Sequence, residues 1–357
     1  MSSTSSPIPN SSPVSSTTPT TETSSVSPQP TPPRLERPGY TVVNNSVELK
    51  LFLDTVVRHI SLPPKLFSQV LRLPPPQSSL EPPQGSGILR EPTLVPPKLF
   101  DVPVSIPELY VDAEGISLSR TGELSILIVH VETRSFSHTY LIHVHVLKHR
   151  TFNMHSSDGC HSLRSIFQDN RIPKVFFDCR MDSDALFGQY GVLIQGIIDL
   201  QLMCLAVQGG GRMYLPGLEA CLLKDLDIDV EERALVSQAK KRGKALWSPK
   251  LGGSMERFND DPLHEDIISY CVVDTAYLPR LFEAYAGIGN SLSLMAVDDL
   301  WGDEDAVELS DDVFSWRNRI LKESRLRAQK ALDPDFTGGS AYNPWHQWKM
   351  YDDDDDW

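Results

Sequence analysis

No CxxC pair occurs in this chain, and its five cysteines (160, 179, 204, 221 and 271) are scattered. An odd number of cysteines without pattern reads as reduced thiols in an intracellular protein, which excludes a disulfide framework. No apolar run is long enough to cross a bilayer. The N-terminus lacks a basic start followed by an apolar stretch, so a secretory signal is not expected. It is also without arginine before Arg34, which weakens a transit-peptide reading. The expected location is intracellular, nucleus or cytoplasm. Positive charge is scarce: 33 Lys and Arg against 47 Asp and Glu give a net charge of −14. That excludes a protein that coats nucleic acid non-specifically, though not an enzyme with a local basic groove. There is no Gly-x-Ser-x-Gly elbow, so a covalent hydrolase has no support. QGGGR (208–212) lacks the strand–loop–helix context and terminal lysine of a phosphate loop and reads as a turn. His143, His145 and His149 in HVHVLKH have no Cys or acid at ligand spacing, so they read as strand histidines with ordinary hydrogen bonds, not a zinc site.

What is present is enough apolar residue for a large domain plus tails: 40% of 357 residues. Residues 1–38 are almost all Ser, Thr and Pro and cannot bury enough surface to offset their ordering entropy, so a disordered tail is expected. YTVV (40–43) reads as a strand. Ser46 can cap a helix whose Leu49, Leu51, Phe52, Val56 and Val57 recur at helical spacing. Residues 61–106 are Pro-rich and read as an insertion, with a short helix at KLFSQVLRL. ELYVDAEG, ELSILIVHVET and HTYLIHVHVL read as three strands, the first two joined by the turn SRTG into a hairpin. Alternation follows: SLRSIFQD helical, KVFFDC a strand, DSDALFGQYG a helix ended by Gly191, IIDLQLMCLAV a strand running into a helix, YLPGLEACLLKDL helical. HEDIISYCVVDTAYLPRLFEAYAG reads as one long final helix of the domain. This order predicts a mixed α/β sheet with helices on its faces. The domain spans 39–290, and 291–357 reads as an appended extension with a basic helix (WRNRILKESRLRAQKAL) and an acidic tail (YDDDDDW).

Carboxylates gather at element ends. Asp112 and Glu114 alternate onto one face of a strand that Gly115 interrupts. Two like charges so close call for a cation, and oxygen ligands suit Mg²⁺ or Mn²⁺. Asp178, Asp182 and Asp184 follow a buried strand at a helix start, where capping explains one acid but not three. Tyr270 and Asp274 stand four apart, on one helix face. Individually each motif is weak.

Together, DxE on a strand, an Asp some 70 residues later at a strand–helix junction, and YxxxD on a late helix resemble the DEDDy family of 3′–5′ exonucleases, with the ribonuclease H-like fold of ribonuclease D and Werner-type exonuclease domains. The resemblance covers about residues 40–290 and looks closest to fungal 3′–5′ exonuclease domain proteins, through LYVDAEGISLSRTGELSIL, KVFFDCRMDSDALFGQYGV, YLPGLEACL and GGSMERFNDDPLHEDIISYCVVDTAYLPRLFEAY. It implies that Asp112, Glu114, Asp182 and Asp274 hold two divalent cations, Mg²⁺ or Mn²⁺, with Tyr270 as the subfamily tyrosine. Asp184 is the rival for the third acid. Asp199 resembles a supporting, structural acid of the family. His143 stands where an acid is expected. The implied reaction is two-metal phosphodiester hydrolysis of single-stranded RNA or DNA from the 3′ end, releasing 5′-monophosphates. Lys240, Lys241, Arg242 and Lys244, in what reads as a loop, are placed to grip phosphates. Phe176, Phe177 and Phe187 read as core. The alternative is a catalytically silent nuclease-fold protein that binds nucleic acid or a protein partner as a scaffold.

Overall fold

The computed structural model describes residues 39–62, 107–208, 215–294, 316–336 and 338, without side chains at 288–294 and 316–319. All of them belong to one compact unit spanning 37–357. The tail at 1–38, the short helix expected within 61–106, most of the QGGGR turn and the acidic tail lie outside the described residues.

Strand β1 (Tyr40–Val43) leads into helix α1 (Ser46–His59). Its cap is Asn45 and not Ser46: the Asn45 side chain accepts from the backbone N–H groups of Val47 and Glu48. Leu49, Phe52, Leu53 and Val56 turn inward, whereas Leu51 is exposed. Strands β2 (Leu109–Ile116), β3 (Glu123–Glu132) and β4 (Ser137–His143) follow as an antiparallel meander. β4 is shorter than expected, because the chain turns at His143 into two one-turn helices, α2 (Val144–Leu147) and α3 (Arg150–Asn153). Then come α4 (Leu163–Gln168), β5 (Lys174–Phe176), α5 (Arg180–Tyr190), β6 (Ile197–Asp199), α6 (Leu200–Val207), α7 (Leu218–Asp225) and α8 (Val230–Trp247).

The expected long final helix is two, α9 (Glu265–Ala276) and α10 (Leu278–Leu294). Pro279 accounts for the break: it has no N–H to donate to the Thr275 carbonyl, its ring crowds that carbonyl, and it suits the first turn of a new helix. α11 (Trp316–Lys330) comes last. The basic run 240–244 lies inside α8, not in a loop.

The sheet order is β1-β4-β3-β2-β5-β6. β2 is central, antiparallel to β3 and parallel to β5, and β5 is parallel to β6. This is the mixed α/β sheet with helices on its faces that the order of elements predicts. One core packs α1 and α4 on the sheet, a second gathers α6, α7 and α10, and a third sets α9 against β3 and β4. No helix among the described residues is long and apolar enough to cross a membrane.

Candidate active site

β2 places Asp112 and Glu114 on one face, half-buried, beside the fully buried Val111. After Glu114 the pairing with β3 shifts register. Only glycine fits next: a Cβ on Gly115 would lie 1.9 Å from the carbonyl oxygen of Glu123. The irregularity ends the regular ladder just beyond the two acids, a common use of bulges beside functional sites.

The third carboxylate comes from the first turn of α5. The turn between β5 and α5 is held by Asp199, fully buried at the end of β6. Its carboxylate accepts from the backbone N–H of Asp178 (3.0 Å), Cys179 (3.2 Å) and Gln201 (3.0 Å). Asp178 takes a left-handed conformation (φ 67°), which aspartate tolerates better than most residues. Asp182 follows, 6% exposed, and its Oδ1 is buried without a hydrogen-bond partner. Asp184 is equally buried but committed elsewhere: it accepts from the Arg120 backbone N–H at 2.8 Å and from the Arg120 guanidinium, which also donates to the carbonyls of Ala331 and Asp333. Of the two rivals, Asp182 has an unused oxygen.

α9 brings Tyr270 and Asp274. One oxygen from each of Asp112, Glu114 and Asp274 lies within 4.8 Å of the others. The neighbour that sequence reading misplaced is Lys240. It is 8% exposed, its ammonium donates to Asp274 Oδ1, and it sits 4.0 Å from the Tyr270 ring centroid. Gly243, one turn on, permits this approach: a Cβ there would lie 2.4 Å from Tyr270 Cβ. The Trp247 ring meets Tyr270 edge-on. Glu232, Val236, Ala239, Lys240 and Gly243 form a buried stripe at helical spacing on α8, which turns this one lysine of the basic run inward.

Burial, and then mutual repulsion, raises the proton affinity of these acids. Burial and the Asp274 charge push Asp112 up to about 7. Burial and then the Asp112 charge lift Glu114 and Asp182 well above the carboxylate range, and burial raises Asp274. Burial alone would lower Lys240, but Asp274, Glu114 and Asp112 outweigh it. Burial and the same three acids drive the Tyr270 phenol upward, so it stays neutral. The sign for stability follows. Between pH 4 and 7 the native Asp112 keeps a proton that the unfolded chain has released, so stability falls as pH rises through that window. Urea unfolding in EDTA at pH 5 and pH 7.5 is expected to show the decline, and Asp112→Asn to reduce it. Lys240→Met is expected to lose about 2 kcal/mol at pH 8, through loss of a charged hydrogen bond. The loss is expected to be smaller at pH 5, where the acids take up protons.

Other expectations shift. His143 is fully buried, with neither ring nitrogen partnered, and burial lowers its pKa. His145 instead meets Glu123 at 2.6 Å. Phe176 is core, Phe177 packs against the second cluster, and Phe187 is exposed. α11 is not a loose appendage: Ile320, Glu323, Ser324, Arg327 and Ala328 are buried. Arg327 donates to Asp199 at 2.8 Å and to the Gln201 side-chain oxygen at 2.8 Å, and Asp199 N–H donates to Ser324 Oγ at 2.9 Å.

The mouse piRNA biogenesis protein EXD1 is 27% identical over 249 residues, which is 63% of this chain and 40% of the mouse protein. Its human counterpart is 32% identical over 140 residues, covering 37% of this chain and 25% of the human protein. The chain thus spans less than half the length of these relatives, and the expected fungal kinship gains no support from them. Among solved structures, Trypanosoma brucei RNase D in complex with GMP overlaps with a TM-score of 0.46 at 17% identity, covering 82% of this chain and 64% of that one. Escherichia coli RNase D overlaps with a TM-score of 0.44 at 14% identity, covering 83% and 51%. The sequence profile of the 3′–5′ exonuclease family matches residues 98–286, a span that contains Asp112, Glu114, Asp182, Tyr270 and Asp274, and on that match the chain belongs to the 3′–5′ exonuclease family.

Proposed function

We propose that this protein is a metal-dependent 3′–5′ exonuclease that shortens single-stranded RNA or DNA and releases nucleoside 5′-monophosphates. The observation that carries the reading is the convergence of Asp112, Glu114 and Asp274 oxygens within 4.8 Å, beside an Asp182 oxygen that nothing satisfies. An all-oxygen donor set of repelling carboxylates fits hard divalent cations, Mg²⁺ or Mn²⁺. Asp112, Glu114, Asp182 and Asp274 would hold two of them. Such ions, when bound, acidify a water and neutralise charge on the leaving 3′-oxygen.

The remaining roles fall to the chain itself. Tyr270 acts as a neutral hydroxyl that orients the attacking water, because the surrounding acids oppose its ionisation. Glu114 also contacts the terminal 3′-hydroxyl. A cavity of about 360 Å³ lined by Glu219, Ser237, Lys240, Lys241, Lys244 and Leu251 adjoins the acids at Lys240. Its exposed Lys241 and Lys244 are placed to hold backbone phosphates behind the terminal nucleotide.

The reaction is tested by chromatography of the products released from single-stranded RNA and DNA with Mn²⁺. Nucleoside 5′-monophosphates are expected. Nucleoside 3′-phosphates or internal fragments would overturn the assignment.

One observation favours a catalytically silent scaffold instead: Lys240 already partners Asp274. The two readings part on Mn²⁺-dependent thermal stabilisation, which the enzyme reading expects and expects to vanish in the Asp112→Ala/Glu114→Ala protein.

A further inference from the structure

A second cluster of donor atoms lies in the core formed by α6, α7 and α10, outside the carboxylate site. Cys204 on α6 and Cys221 on α7 are both buried, with sulfurs 3.7 Å apart. They are not joined; a disulfide needs about 2.0 Å. Asp225, one turn after Cys221 on α7, places Oδ2 3.8 Å from Cys204 Sγ. The three residues offer one donor atom each, all within 4.8 Å of one another. The Gln208 amide nitrogen is 3.1 Å from Cys204 Sγ and 3.4 Å from Asp225 Oδ2, while its Oε1 is buried without a partner. Tyr285 on α10 donates to Asp225 Oδ2 at 2.7 Å.

The sulfur–sulfur separation of 3.7 Å and the Cys204–Asp225 separation of 3.8 Å are close to two edges of a tetrahedral site. Zinc–sulfur bonds of about 2.3 Å and zinc–oxygen bonds of about 2.0–2.2 Å, at tetrahedral angles, require S···S edges near 3.8 Å and S···O edges near 3.5 Å. Turning the Gln208 amide over, an exchange of near-isosteric atoms, would put its oxygen where the nitrogen stands, 3.1 Å from Cys204 Sγ and 3.4 Å from Asp225 Oδ2. Tyr285 supplies the outer hydrogen bond that fixes a carboxylate ligand. Thiolate donors select soft cations over Mg²⁺ and Mn²⁺.

We propose that Cys204, Cys221 and Asp225, with Gln208 as fourth donor, form a binding site for a thiophilic divalent cation of the zinc class. Bound there, the ion ties α6 to α7. The site does not depend on the nuclease reading, and the test keeps the two apart.

The test uses the full chain with Asp112→Asn and Glu114→Gln, which disables the carboxylate site. Cobalt(II) is added alone, followed by zinc. A near-ultraviolet thiolate-to-cobalt charge-transfer band is expected, saturating at one equivalent and bleached by zinc. Cys221→Ser in the same background is expected to abolish it. Tyr285→Phe, which leaves the donor atoms in place, is expected to weaken cobalt affinity roughly 10- to 100-fold. Absence of the band in protein folded by circular dichroism would overturn the proposal, and so would a band unchanged by Cys221→Ser. If Cys221→Ser does not fold, Tyr285→Phe decides: an affinity equal to that of the parent rejects the site.

Discussion

Asp182→Asn is expected to lower nuclease turnover by roughly 10³-fold or more, the scale on which loss of a preorganised electrostatic group acts, without lowering the melting temperature. Asp184→Asn, two residues away and as deeply buried, is expected to do the reverse. Asp182 carries a buried oxygen that no protein group satisfies, and burial, followed by the charges of Asp112, Asp178 and Asp199, opposes its ionisation. Neutralising it removes a repulsive charge, so folding gains or stays level while the proposed cation site loses a donor. Asp184 meets Arg120, which in turn ties the β2–β3 turn to the end of α11 through the carbonyls of Ala331 and Asp333. Breaking that partly exposed pair is expected to cost about 1–3 kcal/mol, with activity per folded molecule largely kept. Turnover measured alongside thermal unfolding for both variants separates the outcomes. If Asp184→Asn kills turnover and Asp182→Asn does not, the third acid is Asp184.

Arg327→Ala is expected to destabilise the protein by about 3–5 kcal/mol, the scale of breaking a buried ion pair from one side. Arg327 is 6% exposed and Asp199 wholly buried. Without the guanidinium, Asp199 keeps its backbone donors but loses its cation, and Asp178, 3.8 Å from Arg327, keeps only Arg180. Because Asp199 pins the turn that leads to Asp182, turnover is expected to fall as well. Lysine is not expected to rescue, since it cannot reach Asp199 and Gln201 at once as the guanidinium does. Arg327→Met combined with Asp199→Asn is expected to recover part of the loss, because no buried charge is then left alone. Urea unfolding of the two single variants and the double measures this coupling. Strictly additive losses would mean that the pair is not a unit.

The two cases also mark how far the sequence could be read. The carboxylates were legible because strand alternation and i,i+4 helical spacing are local rules: Asp112 with Glu114, and Tyr270 with Asp274, share faces for reasons internal to their own elements. The hairpin and the β5–α5 and β6–α6 junctions were legible for similar reasons, whereas the supporting role of Asp199 came only through the family resemblance. Lys240 was not, because a run of Lys and Arg resembles a solvated surface, and only the buried stripe from Glu232 to Gly243 shows that one lysine of that run faces inward. α11 was read as an appendage because its buried face is polar, with Glu323, Ser324 and Arg327 among its inward residues. No apolar period could announce such a face. The choice between Asp182 and Asp184 needed Arg120, 64 residues from Asp184 in the chain. Cys204 and Cys221 stand 17 apart and meet only once α6 and α7 pack.

The central claim, that this member of the family cuts nucleic acid from the 3′ end, is tested most directly by incubating 5′-labelled single-stranded RNA and DNA with the wild-type protein and Mg²⁺ or Mn²⁺. A ladder is predicted that shortens from the 3′ end, disappears with EDTA, and is absent for Asp112→Ala/Glu114→Ala. Labelled strands that keep their full length with either metal, yet are retained with the protein on a filter, would contradict it and make this chain a binding protein built on a nuclease fold.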